Sequence, residues 1–232
     1  MTRFATAWQK QTSRWGCFAG QRSIFWRLVA PRFRSAMATT MNFDDPVATA
    51  LRVARLLERA DLAYGLYGGL AVAAWGVPRE TKDADMAVVS ADAARLVEIL
   101  QQDGIRAVAA FDRVRFGGLV VSRATLLGGP EDTGLNTVDL VEPESPRYAA
   151  VAVARALRAP LRGSEISLLT PEDVVIFKVL STRDKDLEDA AAIIQELGPQ
   201  LDLATVRAEL EELAAEIRDH DIDARWRRCL PG

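Results

Sequence analysis

The chain has 232 residues, is 49% apolar and carries a formal charge of −3. That is enough length for one large domain or two small ones around a buried core, and no run of about 18 apolar residues is present to span a membrane. Cys17 and Cys229 lie near opposite ends and offer neither a disulfide framework nor a zinc spacing. A reducing, cytoplasmic compartment follows as the simplest expectation. The single histidine, His220, is expected on a solvated surface of a charged C-terminal helix, which leaves histidine-based triads without material.

Charge is unevenly spread. Residues 1–40 hold Arg3, Lys10, Arg14, Arg22, Arg27, Arg32 and Arg34 and no acid, leaving 22 basic against 32 acidic residues in the body. An acidic body is not the footprint of a generic nucleic-acid binder. The 1–40 segment is also rich in aromatics, with Trp8, Trp15 and Trp26 among them, and shows no clean period. Three readings compete: a translated upstream segment with Met37 or Met41 as the start, a transit peptide, or a basic arm. The first is favoured, because every pattern that carries chemistry lies downstream.

Asp44-Asp45-Pro46 opens a helix that runs to Arg59, with Asp45 as cap and Pro46 at the first helical position. Leu62–Tyr67 reads as a short strand ending at Gly68-Gly69, and Leu70–Trp75 as one or two helical turns closed by Gly76 and Pro78. Asp83–Val89 is the next strand, and Ser90 caps a helix to about Gln102. Val114–Phe116, Leu119–Ser122 and Thr137–Val141 are strand candidates, with turns at Gly117-Gly118 and Gly128-Gly129-Pro130. Tyr148–Arg158 reads as a helix and Ile166–Leu169 as a short strand. Thr170-Pro171-Glu172-Asp173 is a strong start for a helix to Leu180. Helices over Lys185–Leu197 and Leu203–Asp219 follow. The expectation is an α/β (α+β) fold: a small mixed sheet flanked by helices over 41–145, then a mainly helical region over 146–232.

Chemistry concentrates at Gly68-Gly69 and Asp83-Ala84-Asp85. On a strand, positions i and i+2 share a face, so Asp83 and Asp85 present two carboxylates together. Two such groups are poor neighbours unless a cation stands between them, and hard divalent ions take oxygen ligands and bind phosphates on their open side. A glycine pair lets backbone N–H groups approach a phosphate. Asp139, flanked by apolar residues in Thr137–Val141, is costly to bury unless paired or bound to metal. Three converging acids suit two divalent ions about 3.5–4 Å apart, clamping an in-line displacement. Lys178 sits in the apolar run Val174–Leu180 and wants an anionic partner, either phosphate or a structural carboxylate. Lys185 and Asp189 share a helical face, where a surface ion pair worth a few tenths of a kcal/mol is the plain reading.

In these residues the chain resembles the nucleotidyltransferase superfamily with a DNA-polymerase-β-like palm. Within it, the chain is most similar to AbiEii-like toxin nucleotidyltransferases and related bacterial proteins. The resemblance covers roughly residues 44–197. It rests on Gly68-Gly69-Leu70-Ala71, the block Gly76 to Asp85, Asp139, Pro171-Glu172-Asp173 with Lys178, and Arg183 to Asp189. It implies that Asp83, Asp85 and Asp139 bind Mg²⁺ or Mn²⁺, with Asp139 as base on the acceptor. It further implies that Gly68 and Gly69 cradle an NTP, that Arg79, Lys82, Lys178 and Lys185 meet its phosphates, and that Thr81, Arg183, Asp186 and Asp189 support them. Gly69 stands where many relatives carry Ser, which removes one hydroxyl from that cradle. The implied reaction moves a nucleoside monophosphate from an NTP to a hydroxyl of tRNA, of a protein or of a small molecule such as an aminoglycoside. An antitoxin partner and a non-catalytic nucleotide-binding module belong to the same set of alternatives.

Overall fold

The computed structural model describes residues 45–128 and 135–230. They belong to a compact unit formed by residues 41–161 and 165–232, with 162–164 outside it. The basic segment 1–40, both alternative starts, Asp44 and the Gly129-Pro130 turn lie outside the described residues.

Helix α1 (Pro46–Arg59) starts as its cap dictates: the Asp45 carboxylate accepts from the N–H groups of Val47 and Ala48 at 3.0 and 3.1 Å. Strand β1 (Tyr64–Tyr67) runs straight into α2 (Gly68–Ala74). Strand β2 (Ala84–Val88) and α3 (Ala93–Gln102) follow. The cap of α3 is Asp92 rather than Ser90, since Ser90 has a positive φ of 55° and its N–H donates to Glu142. Strands β3 (Ala107–Phe116), β4 (Leu119–Leu127) and β5 (Leu135–Pro143) form a meander. They are longer than their apolar alternation suggests, because β3 is bulged twice and mostly exposed.

Helix α4 (Pro146–Ala154) stops short of the expected Arg158, and the chain turns back as β6 (Leu157–Leu161) and β7 (Ser164–Leu168). The helical half then begins with α5 (Pro171–Leu180), capped by Thr170, whose hydroxyl accepts from Asp173 N–H at 3.2 Å. It continues with α6 (Asp184–Leu197), α7 (Leu203–Glu216) and α8 (Ile222–Cys229). None of these helices is long and apolar enough to cross a membrane.

All seven strands make one mixed sheet in the order β3-β4-β5-β2-β1-β7-β6. The pairs β2–β5 and β1–β7 are parallel; β1–β2, β3–β4 and β4–β5 are antiparallel. Alternate residues Ala84, Met86 and Val88 of β2, with Val138 and Leu140 of β5, are buried in the core. On the opposite face Ala87 and Val141 are buried as well, and the end of that face before them carries the acids, with Asp139 itself buried.

Candidate active site

Asp85 is opposite Asp139 across the parallel β2–β5 pair and opposite Tyr67 across the antiparallel β1–β2 pair. Asp83 lies one residue before β2, two positions from Asp85, and accepts from the Thr137 hydroxyl at 2.6 Å. The three acids expected to converge therefore come to one end of one sheet face. Burial, then the neighbouring charge of Asp139, pushes the Asp85 carboxyl up to about 7. Lys178 opposes that shift, which places its ammonium within electrostatic reach of Asp85.

Tyr67 leads into Gly68, which has a φ of +67° and lies against Asp85. A Cβ at Gly68 would overlap the Asp85 carboxylate and stand 2.7 Å from its Cβ. A Cβ at Gly69 would sit 2.7 Å from Cβ of Thr81. Thr81 also donates to the Asp83 carbonyl at 3.4 Å, so it ties the turn before β2 to the glycine pair. Both glycines are thus demanded by close approach, and Gly68 also by its left-handed backbone.

The cations divide into two groups. Lys178 is 1% exposed and donates to Asp186 at 2.6 Å and Asp189 at 2.9 Å. Of the two partners left open by its sequence, the structure supplies carboxylates. Arg79 donates to Asp189 at 3.1 Å, and Arg183 to Asp186 at 2.7 and 3.1 Å. Burial resists ionisation of Asp186, yet Lys178 and Arg183 hold its carboxyl below the usual range. This network ties the loop before β2 to α5 and α6, and its Lys178 and Arg183 act electrostatically on Asp85. Lys82 and Lys185, by contrast, are exposed.

Tyr67 completes the site's floor. Its ring lies 5.4 Å from the Lys178 ammonium and 5.1 Å from the Phe177 ring, and its buried hydroxyl has no hydrogen-bond partner among the described residues. Burial, then the charges of Asp186 and Asp85, keeps that hydroxyl protonated.

Arg123 was not anticipated from the sequence. Opposite Asp139 across β4–β5, its guanidinium grips both carboxylate oxygens at 2.6 and 2.7 Å. Only the β4–β5 register reveals this pair. His220 departs from expectation: it sits between α7 and α8, half-buried, with a ring nitrogen 3.4 Å from the Val179 carbonyl and its ring against Gly117. Burial lowers its basicity.

The donor set suits a hard divalent cation, being carboxylate oxygens on one face, where burial and then the charge of Asp139 raise Asp85. Among the described residues no group of three ligands is already gathered to hold an ion. Asp139 is engaged by Arg123 through both oxygens and Asp83 by Thr137 through one.

No family model and no curated protein matches the chain. Solved structures do. An antigenic nucleotidyltransferase-like protein from Paracoccidioides brasiliensis is 19% identical with a TM-score of 0.45, covering 76% of this chain and 94% of that one. The solution structure of antibiotic-resistance factor ANT(2'')-Ia is 16% identical with a TM-score of 0.47, covering 74% and 94%. The crystal structure of ANT(2'')-Ia with adenylyl-2''-tobramycin is 15% identical with a TM-score of 0.41, covering 74% and 96%. At such identities and scores, what the chain does is read from the residues of its site.

Proposed function

We propose that the chain is a nucleotidyltransferase that moves a nucleoside monophosphate from an NTP to a hydroxyl acceptor. One observation carries this reading: Asp83, Asp85 and Asp139 share one face of the β2–β5 pair, beside a glycine turn pressed against Asp85. A divalent cation held by these carboxylates supplies charge neutralisation at the transferring phosphoryl group.

The acceptor oxygen attacks the α-phosphorus, a new P–O bond forms, and the bond to the leaving pyrophosphate breaks. Asp139, on the flank away from the glycines, takes the acceptor proton. Gly68 and Gly69 form the flank for the triphosphate, offering it backbone N–H groups. Lys82 and Lys185 are the exposed cations for its phosphates. Lys178, Arg79 and Arg183 brace the acids from behind through Asp186 and Asp189.

Calorimetric titration of NTP into the protein with Mg²⁺ tests this assignment. NTP binding that needs the cation and weakens in Asp83→Asn and Asp85→Asn supports it. Cation-independent binding, unchanged in both variants, contradicts it.

A further inference from the structure

The cross-sheet register lines up Phe111, Arg123, Asp139, Asp85 and Tyr67 in one row, one residue from each of five strands. Residues directly opposite one another share a face. Gly68, the start of the triphosphate flank, follows Tyr67 at one end of this row. In-line displacement puts the attacking group opposite the leaving group, so the acceptor has the other end, beyond Asp139.

That end is a shelf. The Arg123 guanidinium lies 5.4 Å from the centre of the Phe111 ring, and the Phe111 and Phe116 rings are 6.2 Å apart. Val108, Val114 and Phe116 are 48%, 40% and 40% exposed, and face the same side as Thr125, Val121 and Leu119, their partners on β4. Single exposed apolar side chains are ordinary, but a contiguous set beside a catalytic row is a binding surface. The charges of Asp139, Asp83 and Asp85 all act on the Arg123 guanidinium at the inner edge of the shelf. Asp112 of β3 instead accepts from the Ala93 N–H at 2.8 Å, at the start of α3.

We infer that this shelf is the acceptor subsite, and that it takes a hydroxyl compound bearing a flat ring and an anionic group beside the reacting hydroxyl. The inference rests on the nucleotidyl-transfer reading. Phe111 and Phe116 offer the ring an apolar face. Arg123 is a positioning residue with two alternative partners. Without acceptor it grips Asp139, the carboxylate that must take the proton. The acceptor's anion draws the guanidinium away, and one carboxylate oxygen becomes available for the hydroxyl proton. A polycation has to compete with the Arg123 guanidinium for the carboxylates of Asp139, Asp83 and Asp85, and the two positive charges repel each other.

The test uses the full chain with a non-hydrolysable NTP analogue and Mn²⁺ filling the nucleotide flank. Three probes are titrated calorimetrically: cytidine monophosphate, which has ring, hydroxyl and anion; cytidine, which lacks the anion; and kanamycin, a polycation. Cytidine monophosphate is expected to bind tighter than cytidine by about tenfold or more, the worth of one charge-assisted hydrogen bond, and kanamycin weakest. Arg123→Ala should collapse that ratio to near one, and Arg123→Lys should restore part of it. Phe111→Ala should weaken both pyrimidine probes alike. A short oligocytidine RNA in the same titration distinguishes an RNA 3′ end from a free nucleotide as the source of this chemistry, and binding of either supports the subsite. Retained analogue binding shows that each variant is folded. Kanamycin binding tightest, or a ratio unchanged in Arg123→Ala, overturns the acceptor subsite alone. Failure of the analogue to bind the unmodified protein overturns the nucleotidyl-transfer reading, and the subsite falls with it.

Discussion

Gly68 and Asp85 are in direct contact: the glycine Cα faces the carboxylate with no room for a methyl group between them. The backbone there is also left-handed, with a φ of +67°. Gly68→Ala therefore forces either the turn or Asp85 to move. A displacement near 1 Å at a reacting centre costs about 100-fold in rate. Such a loss in NTP turnover, with the fold retained by circular dichroism, is the expected outcome.

Asp85 should trade stability for function. Its folded carboxyl titrates near 7 against an ordinary 3.8. Between those values the native state holds a proton that the unfolded chain has lost. The contribution of Asp85 to stability therefore falls as pH rises from about 4 to about 7, then stays low. Asp85→Asn mimics the protonated form. It should stabilise the fold at pH 8 by an amount on the order of a few kcal/mol, seen as a raised melting temperature, and change stability little at pH 4. Thermal melts of both proteins across that range give the difference directly.

The Lys178 network should be unforgiving of partial removal. Lys178→Ala leaves Asp186 and Asp189 buried without their shared ammonium, a loss of about 3–5 kcal/mol for breaking a buried pair. Replacing Lys178 by Met together with Asp186→Asn and Asp189→Asn removes the charge conflict and should recover much of the stability in urea titrations. Activity should not return with it, because the brace behind Asp85 is gone.

The β3–β4 turn is fitted to the helical half of the molecule. Gly117 has a φ of +68°, and a Cβ there would lie 2.7 Å from His220 Cε1 and 2.8 Å from the Leu180 carbonyl oxygen. The Gly118 N–H donates to that same carbonyl at 2.9 Å. Gly117→Ala should destabilise by about 1–3 kcal/mol from backbone strain plus the cost of displacing His220. A urea midpoint shift of that size checks it.

How much of this was legible in the sequence depends on the range of the interaction. Helices α1 and α5 begin where Asp45-Pro46 and Thr170-Pro171 said they would, because a cap is a contact between near neighbours. The β6 strand was hidden in the tail of an expected helix, since Leu157 continues the apolar spacing of α4 while the chain has already turned. Strand β3 showed only its last three residues, because exposed, bulged segments have no two-residue alternation. Helix α8 is eight residues, short and highly charged, and escaped notice. In the proposed site, Asp83 and Asp85 are singled out by their spacing, and Asp139 by its apolar flanks. Arg123 did not, because its meaning lies in pairing with a strand 16 residues away.

The most direct measurement is transfer itself: NTP labelled at the α-phosphate, Mg²⁺ and a panel of hydroxyl acceptors, with pyrophosphate release followed in parallel. Label appearing in one acceptor together with equal pyrophosphate, both lost in Asp85→Asn, is the expected result. Hydrolysis at the γ-phosphate, or label transfer that survives in Asp85→Asn, would contradict the account.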